Sequence, residues 1–93
     1  MVKAIWNGTV IADAKNFQVI EGNVYFPPET VNMALLKPSD KTTHCGWKGD
    51  ASYFSIIVSG EENTDAAWVY REPYEKAAHI KDHIAFWNGV EVD

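Results

Sequence analysis

Cysteine is almost missing from this 93-residue chain: Cys45 is the only one. One thiol cannot close an intrachain disulfide, and it cannot supply a four-cysteine or Cys₂His₂ zinc site. No run approaches the ~20 apolar residues of a membrane-spanning helix, and nothing reads as a signal peptide. A reducing cytoplasm is therefore the expected compartment, with no membrane partner. Basic residues are also scarce, at eight Lys and Arg against thirteen Asp and Glu, for a formal charge of −5. The densest basic spacing, Lys37, Lys41 and Lys48, is broken by Asp40. A phosphate backbone needs a cationic footprint to release its counterions, so nucleic acid is not an expected partner. A small ligand, an uncharged partner or a basic partner stays open.

Aromatic residues are abundant, with four Trp, four Tyr and four Phe. Each can bury about 150–250 Å², which lets a short chain build a useful core. Residues 1–93 are expected to form one domain, because a chain of this length has no room for a second core. The same large rings could line a ligand pocket.

Short β-prone runs separated by turn residues dominate the pattern. Residues 3–6 and 9–14 flank Asn7-Gly8, a strong signal for a type I′ hairpin, in which both turn residues take positive φ. A second hairpin is expected from residues 17–20 and 24–26 around Glu21-Gly22-Asn23. Pro27-Pro28 stops it, since proline cannot donate to the ladder. Residues 28–36 read as a short helix or 3₁₀ turn, and residues 37–41 as an exposed loop. Residues 42–47 read as a strand, and residues 51–59 as a central strand. Residues 66–70 return with Trp68 and Tyr70 on one face and Ala67 and Val69 on the other. Residues 74–80 predict a short helix, with Tyr74, Ala77 and Ala78 sharing a face. Residues 83–87 and 90–92 flank a second Asn-Gly turn. The expected class is mainly β with one or two short helices, as antiparallel sheets in a barrel-like or two-sheet arrangement.

The densest chemistry lies in His44-Cys45-Gly46-Trp47-Lys48-Gly49. Cys45 could be a nucleophile or redox thiol assisted by Lys48, or a small buried hydrophobe, as most free cysteines are. Adjacent strand residues face opposite ways, so His44 is poorly placed to act as its base. Lys48 reads as an anion-binding cation or an ordinary surface lysine. Tyr25, Trp47, Tyr53, Trp68 and Tyr70 could form a cage or slot for a flat or cationic ligand, or pack as core. Glu75, His79 and His83 would share a metal-binding face only on one long helix. That helix is expected to end near Lys81-Asp82, so neither metal nor cofactor is expected.

Several stretches together resemble the small bacterial and fungal proteins of domain of unknown function 427. They are Trp6-Asn7-Gly8 with Ile11-Ala12, Glu21-Gly22 with Tyr25-Phe26-Pro27, and Cys45-x-Trp47-Lys48-Gly49 with Ala51-x-Tyr53. They continue with Asp65-Ala66-Ala67-Trp68-x-Tyr70-x-x-Pro73 and Ile84-Ala85-Phe86-Trp87. The chain departs from the pattern at Gly46, where the family carries proline, which leaves the loop backbone freer. The resemblance implies a β-tent-like fold, in which antiparallel sheets meet over a shared core. It also implies a carboxylate role for Glu21, otherwise a turn residue. A nucleotidyltransferase label sometimes given to the family has no phosphate-cradling glycine loop or paired aspartates behind it here.

Two functional readings follow. One is a small-molecule binding domain with an aromatic cleft around Trp47, Lys48, Trp68 and Tyr70. The other is an enzyme using Cys45 with Lys48. Edge-strand pairing leaves open whether the chain is a monomer or a homodimer.

Overall fold

A computed structural model describes residues 1–93. Asn7 and Gly8 take φ of 51° and 72°, as a type I′ turn requires, and reverse β1 (Val2–Trp6) into β2 (Thr9–Ala14). Glu21 and Gly22, at 55° and 79°, do the same between β3 (Gln18–Ile20) and β4 (Asn23–Tyr25). Two 3₁₀ turns follow, Pro28–Thr30 and Met33–Leu35. Then come three long strands, β5 (Leu36–Cys45), β6 (Gly49–Val58) and β7 (Glu61–Tyr70). A 3₁₀ segment, Glu75–Ile80, leads to β8 (Ile84–Phe86) and β9 (Glu91–Val92).

These strands make three antiparallel sheets, ordered β2-β1-β9, β3-β4 and β5-β6-β7-β8. The class is mainly β, and the sheets stay open instead of closing into a barrel. Isolated bridges link Phe26, next to β4, with Ile84 of β8, and Ala12 of β2 with Val31 between the two 3₁₀ turns. No helix is long and apolar enough to cross a membrane.

Two local readings need correction. Residues 37–41 belong to strand β5, although Pro38 and its four polar neighbours favour a loop. β5 is an edge strand, so the missing Pro38 N–H leaves no partner unsatisfied, and the register slips between Pro38 and Thr42 to absorb the irregular stretch. Residues 75–80 form 3₁₀ helix with a kink at Ala77, not α-helix. Ala77 and Ile80, three apart, are therefore the buried pair, while Tyr74 and Ala78 stay exposed.

The four-stranded sheet is covered on both faces, as strand alternation dictates. Phe54, Ile56 and Val58 of β6, with Ala67 and Val69 of β7, join Val2, Ala4 and Ile11 in the larger apolar core. Ala51 and Tyr70 point the other way, into a smaller cluster with Tyr25, Ile80 and Ala85, against which Tyr53, Trp68 and Cys45 pack.

Candidate functional site

Lys48 closes the turn between β5 and β6, and its backbone is clamped. The Tyr74 N–H donates to the Lys48 carbonyl at 3.0 Å. Next to it, Gly49 takes φ +112°, with the Glu72 carbonyl 3.4 Å from where a Cβ would stand. A side chain is strained at that φ, so glycine is what lets the turn lie against residues 72–74. The lysine side chain then runs inward and is only 6% exposed. Its ammonium donates to the Glu21 carboxylate and stands 5.4 Å from the Trp47 ring centre and 5.7 Å from that of Tyr70. Glu21 reaches it from the tip of the β3–β4 hairpin.

Beside Lys48 lies a cavity of about 390 Å³, within the ~300–1,000 Å³ range of small-molecule sites. Tyr53, Trp68 and Trp87 supply its aromatic walls. Tyr25 and Tyr70 line it from the smaller core cluster, and Asn23, Lys41 and Lys48 add polar ends. Fully buried Tyr25 is held by the Trp68 indole, whose Nε1 donates to the Tyr25 hydroxyl at 3.2 Å with the rings edge to face. The Tyr53 hydroxyl is tied to Thr43 Oγ1 at 3.2 Å. Lys41 lies over the Tyr53 and Trp87 rings, at 5.0 and 5.7 Å. A β7 bulge sets this rim. Asp65 takes φ 55° there, its N–H bonded to Ser55 Oγ, its carboxylate to Ser39, and its carbonyl to Trp87 Nε1 at 2.6 Å.

Burial and charge shift the ionisation of four groups at this site. Burial pushes the Tyr70 phenol up to about 12, and Lys48 only partly opposes that. Burial also raises Tyr25, against the Trp68 hydrogen bond. Burial works against the Lys48 ammonium, but the Glu21 hydrogen bond, with Coulombic attraction from Tyr25, Tyr70 and Cys45, outweighs it, so its pKa is raised. The Lys48 hydrogen bond holds the Glu21 carboxyl below the usual carboxylate range. At neutral pH the cavity thus offers the neutral Tyr25 and Tyr70 phenols, which donate, and the Lys48 ammonium.

A family model described as a domain of unknown function (DUF427) matches residues 1–93. The chain belongs to this family. No curated protein matches it.

Within this DUF427 chain, the structure gathers Tyr25, Lys48, Tyr53, Trp68 and Tyr70 around one cavity. Trp47 does not line it and is 38% exposed, with its ring centre 5.4 Å from the Lys48 ammonium. Cys45 is half-buried at the end of β5, packed against the smaller cluster but not lining the cavity. His44 faces away, with Nδ1 2.7 Å from Asp50 in an exposed pair, so it is not a base for Cys45. Glu75, His79 and His83 do not share a helix, because the 3₁₀ segment ends at Ile80. No group of three or more His, Cys, Asp or Glu is placed to hold a metal. Asn23, Lys41 and Trp87 are cavity residues that local pattern does not reveal. The signals for Trp87 are its place in the Ile84-Ala85-Phe86-Trp87 stretch and before an Asn-Gly turn.

Proposed function

We propose that the cavity binds a small, flat, anionic molecule, its ring system between Tyr53, Trp68 and Trp87 and its anionic end among the lysines and phenols. The observation that carries this reading is the placement of the two lysines. Lys41 stands over Tyr53 and Trp87, and Lys48 over Tyr70, so ring faces that could hold a cationic guest already hold the protein's own cations. Neither lysine leaves room for a quaternary ammonium without charge repulsion, and both favour an anion. The Tyr25 and Tyr70 phenols, kept neutral by burial, add donors of the matching kind. A reducing cytoplasm suits a chain whose one thiol is free.

The test compares three probes that share a naphthalene ring: 2-naphthoate, its uncharged amide, and a (2-naphthylmethyl)trimethylammonium salt. Tryptophan fluorescence and thermal shift report binding, since Trp68 and Trp87 both line the cavity. The expected order is naphthoate tightest, amide weaker and ammonium absent, with Trp68→Ala losing the naphthoate signal. An ammonium that binds as well as naphthoate, or a Trp68→Ala variant that binds like wild type, would sink the reading.

A further inference from the structure

We propose that Glu21 is an internal placeholder for the ligand's anionic group. On binding, the ligand takes over the Lys48 ammonium, the Glu21 carboxylate swings out into water, and the β3–β4 turn is released. This rests on the anion-binding reading above and specifies which cation receives the anion and what leaves to admit it.

The two partners of the ion pair differ in how much they need it. Lys48 is a buried cation on a clamped turn, with 8% of its side chain accessible, whereas 53% of the Glu21 side chain is accessible. A buried ammonium needs a countercharge, but an exposed carboxylate is well solvated without one. Lys48 is therefore the fixed half of the site, and Glu21 the half that can be exchanged. Exchange for another anion leaves the buried charge compensated before and after.

The turn chemistry points the same way. Four hairpin turns in the chain place a residue with positive φ before a glycine: Asn7, Glu21, Ser59 and Asn88. Asn and Ser have short side chains that hydrogen-bond locally in such turns, and Asn tolerates the left-handed region. Glu has neither advantage, so local turn preference does not account for residue 21. Its reach to Lys48 does. The hairpin that carries it has strands of only three residues each, and a two-stranded hairpin is marginal by itself. Below the turn, Tyr25 and Phe26 are fully buried, and Phe26 exchanges two backbone hydrogen bonds with Ile84, at 2.8 and 2.9 Å. The tip can therefore yield while its base stays in place.

The incoming anion finds more than Lys48. The Tyr70 hydroxyl has no hydrogen-bond partner among the protein side chains, and Tyr70 lines the cavity beside the ammonium. An anion on Lys48 would accept from it, a contact that Glu21 does not make.

Four proteins titrated with 2-naphthoate by tryptophan fluorescence test this: wild type, Glu21→Asn, Lys48→Met and Lys41→Met. Asn is chosen because it restores the Asn-Gly turn used twice elsewhere in the chain, so the turn conformation is kept while the side chain becomes too short to reach Lys48. Removing an internal competitor raises the population of the open site, so Glu21→Asn should bind about fivefold tighter than wild type. Lys48→Met should weaken binding at least about tenfold, the loss of one charge-assisted contact, and Lys41→Met by only about threefold or less. Glu21→Asn binding that is unchanged or weaker overturns the placeholder role while leaving anion binding intact. A large loss in Lys41→Met with none in Lys48→Met overturns it too, and assigns the anion to Lys41. Failure of wild type and Glu21→Asn alike to bind naphthoate removes both the binding reading and this one.

A measurement on the unaltered protein guards against a misfolded variant. In ¹H–¹⁵N spectra, saturating 2-naphthoate should shift the Glu21 and Gly22 amides and speed their exchange with solvent. Unperturbed amides at this turn, with Trp68 and Trp87 indole signals shifted, would mean that the ligand binds without displacing Glu21 and would overturn the proposal.

Discussion

The two faces of the four-stranded sheet are built from the same strands to opposite ends. One face presents Phe54, Ile56, Val58, Ala67 and Val69, all apolar, to the three-stranded sheet, and that contact is the larger apolar core. The other presents Ala51, Tyr53, Trp68 and Tyr70, amphipathic rings around a cavity with a buried ammonium among them. Strand alternation makes this division possible at no topological expense, because neighbouring residues never compete for the same face. It teaches that the residues of the stability core and those of the proposed binding site can be separated one by one here. Substitutions on the first face should unfold the protein, and those on the second should change what it holds.

The sharpest way to break that contrast is a matched pair of truncations. Ile56, which has no exposed surface, should lose about 2–5 kcal/mol as Ile56→Ala, from transfer and cavity terms together. Tyr25→Phe, equally buried, keeps its ring and removes only the acceptor for Trp68 Nε1, so about 1 kcal/mol is expected. Urea denaturation of both variants decides. A Tyr25→Phe loss as large as that of Ile56→Ala would mean that the site face is also the stability core.

Two glycines in the Lys48 turn give a smaller effect of either sign. Gly49 has φ +112°, so Gly49→Ala should cost at least about 1 kcal/mol. It should also disturb naphthoate binding through Lys48. Gly46 has no positive φ, and an added Cβ there meets nothing within 4 Å. Gly46→Ala should therefore be neutral or stabilising by up to about 1 kcal/mol, by restricting the unfolded chain. Equal destabilisation by both would show that the turn is not clamped as described.

The smallest effect concerns pH, and it belongs to the site face alone. Tyr70 ionises near 12 when folded, above its ordinary value of 10.0. The folded protein thus holds that proton more tightly than the unfolded chain does. The associated stability is fully present below pH 10 and is lost as pH rises through 12. Lys48, also raised, adds to the loss in the same direction above its ordinary value of 10.5. Tyr70→Phe should flatten the decline in stability between pH 10 and 12, followed by urea midpoints. Ile56→Ala should lower the whole curve without changing its slope. A Tyr70→Phe slope equal to wild type would place the alkaline sensitivity elsewhere.

Much of the fold is legible locally because its signals are short-range. Asn7-Gly8 and Asn88-Gly89 need only their own positive φ to turn the chain, and both do. The alternation of residues 67–70 assigns Ala67 and Val69 to one face and Trp68 and Tyr70 to the other without reference to any partner. The loop reading of residues 37–41 and the helical face of residues 74–80 fail for a corresponding reason. An edge position excuses Pro38 from the ladder, and tertiary packing selects a 3₁₀ spacing that buries Ala77 with Ile80.

The cavity is a different kind of object. Lys48 meets Glu21 across 27 residues of chain, Trp68 meets Tyr25 across 43, and Trp87 meets Asp65 across 22. Aromatic content and the Trp47-Lys48-Gly49 turn were enough to place Tyr25, Lys48, Tyr53, Trp68 and Tyr70 among the candidates. They could not tell that Trp47 stays outside, that Cys45 does not line the cavity, or that Lys41, Asn23 and Trp87 join. Turn preference and side-chain alternation are properties of a few adjacent residues, so the amino-acid order states them directly. Which side chains share one pocket depends on how separate hairpins dock, and only the packed tertiary structure decides that.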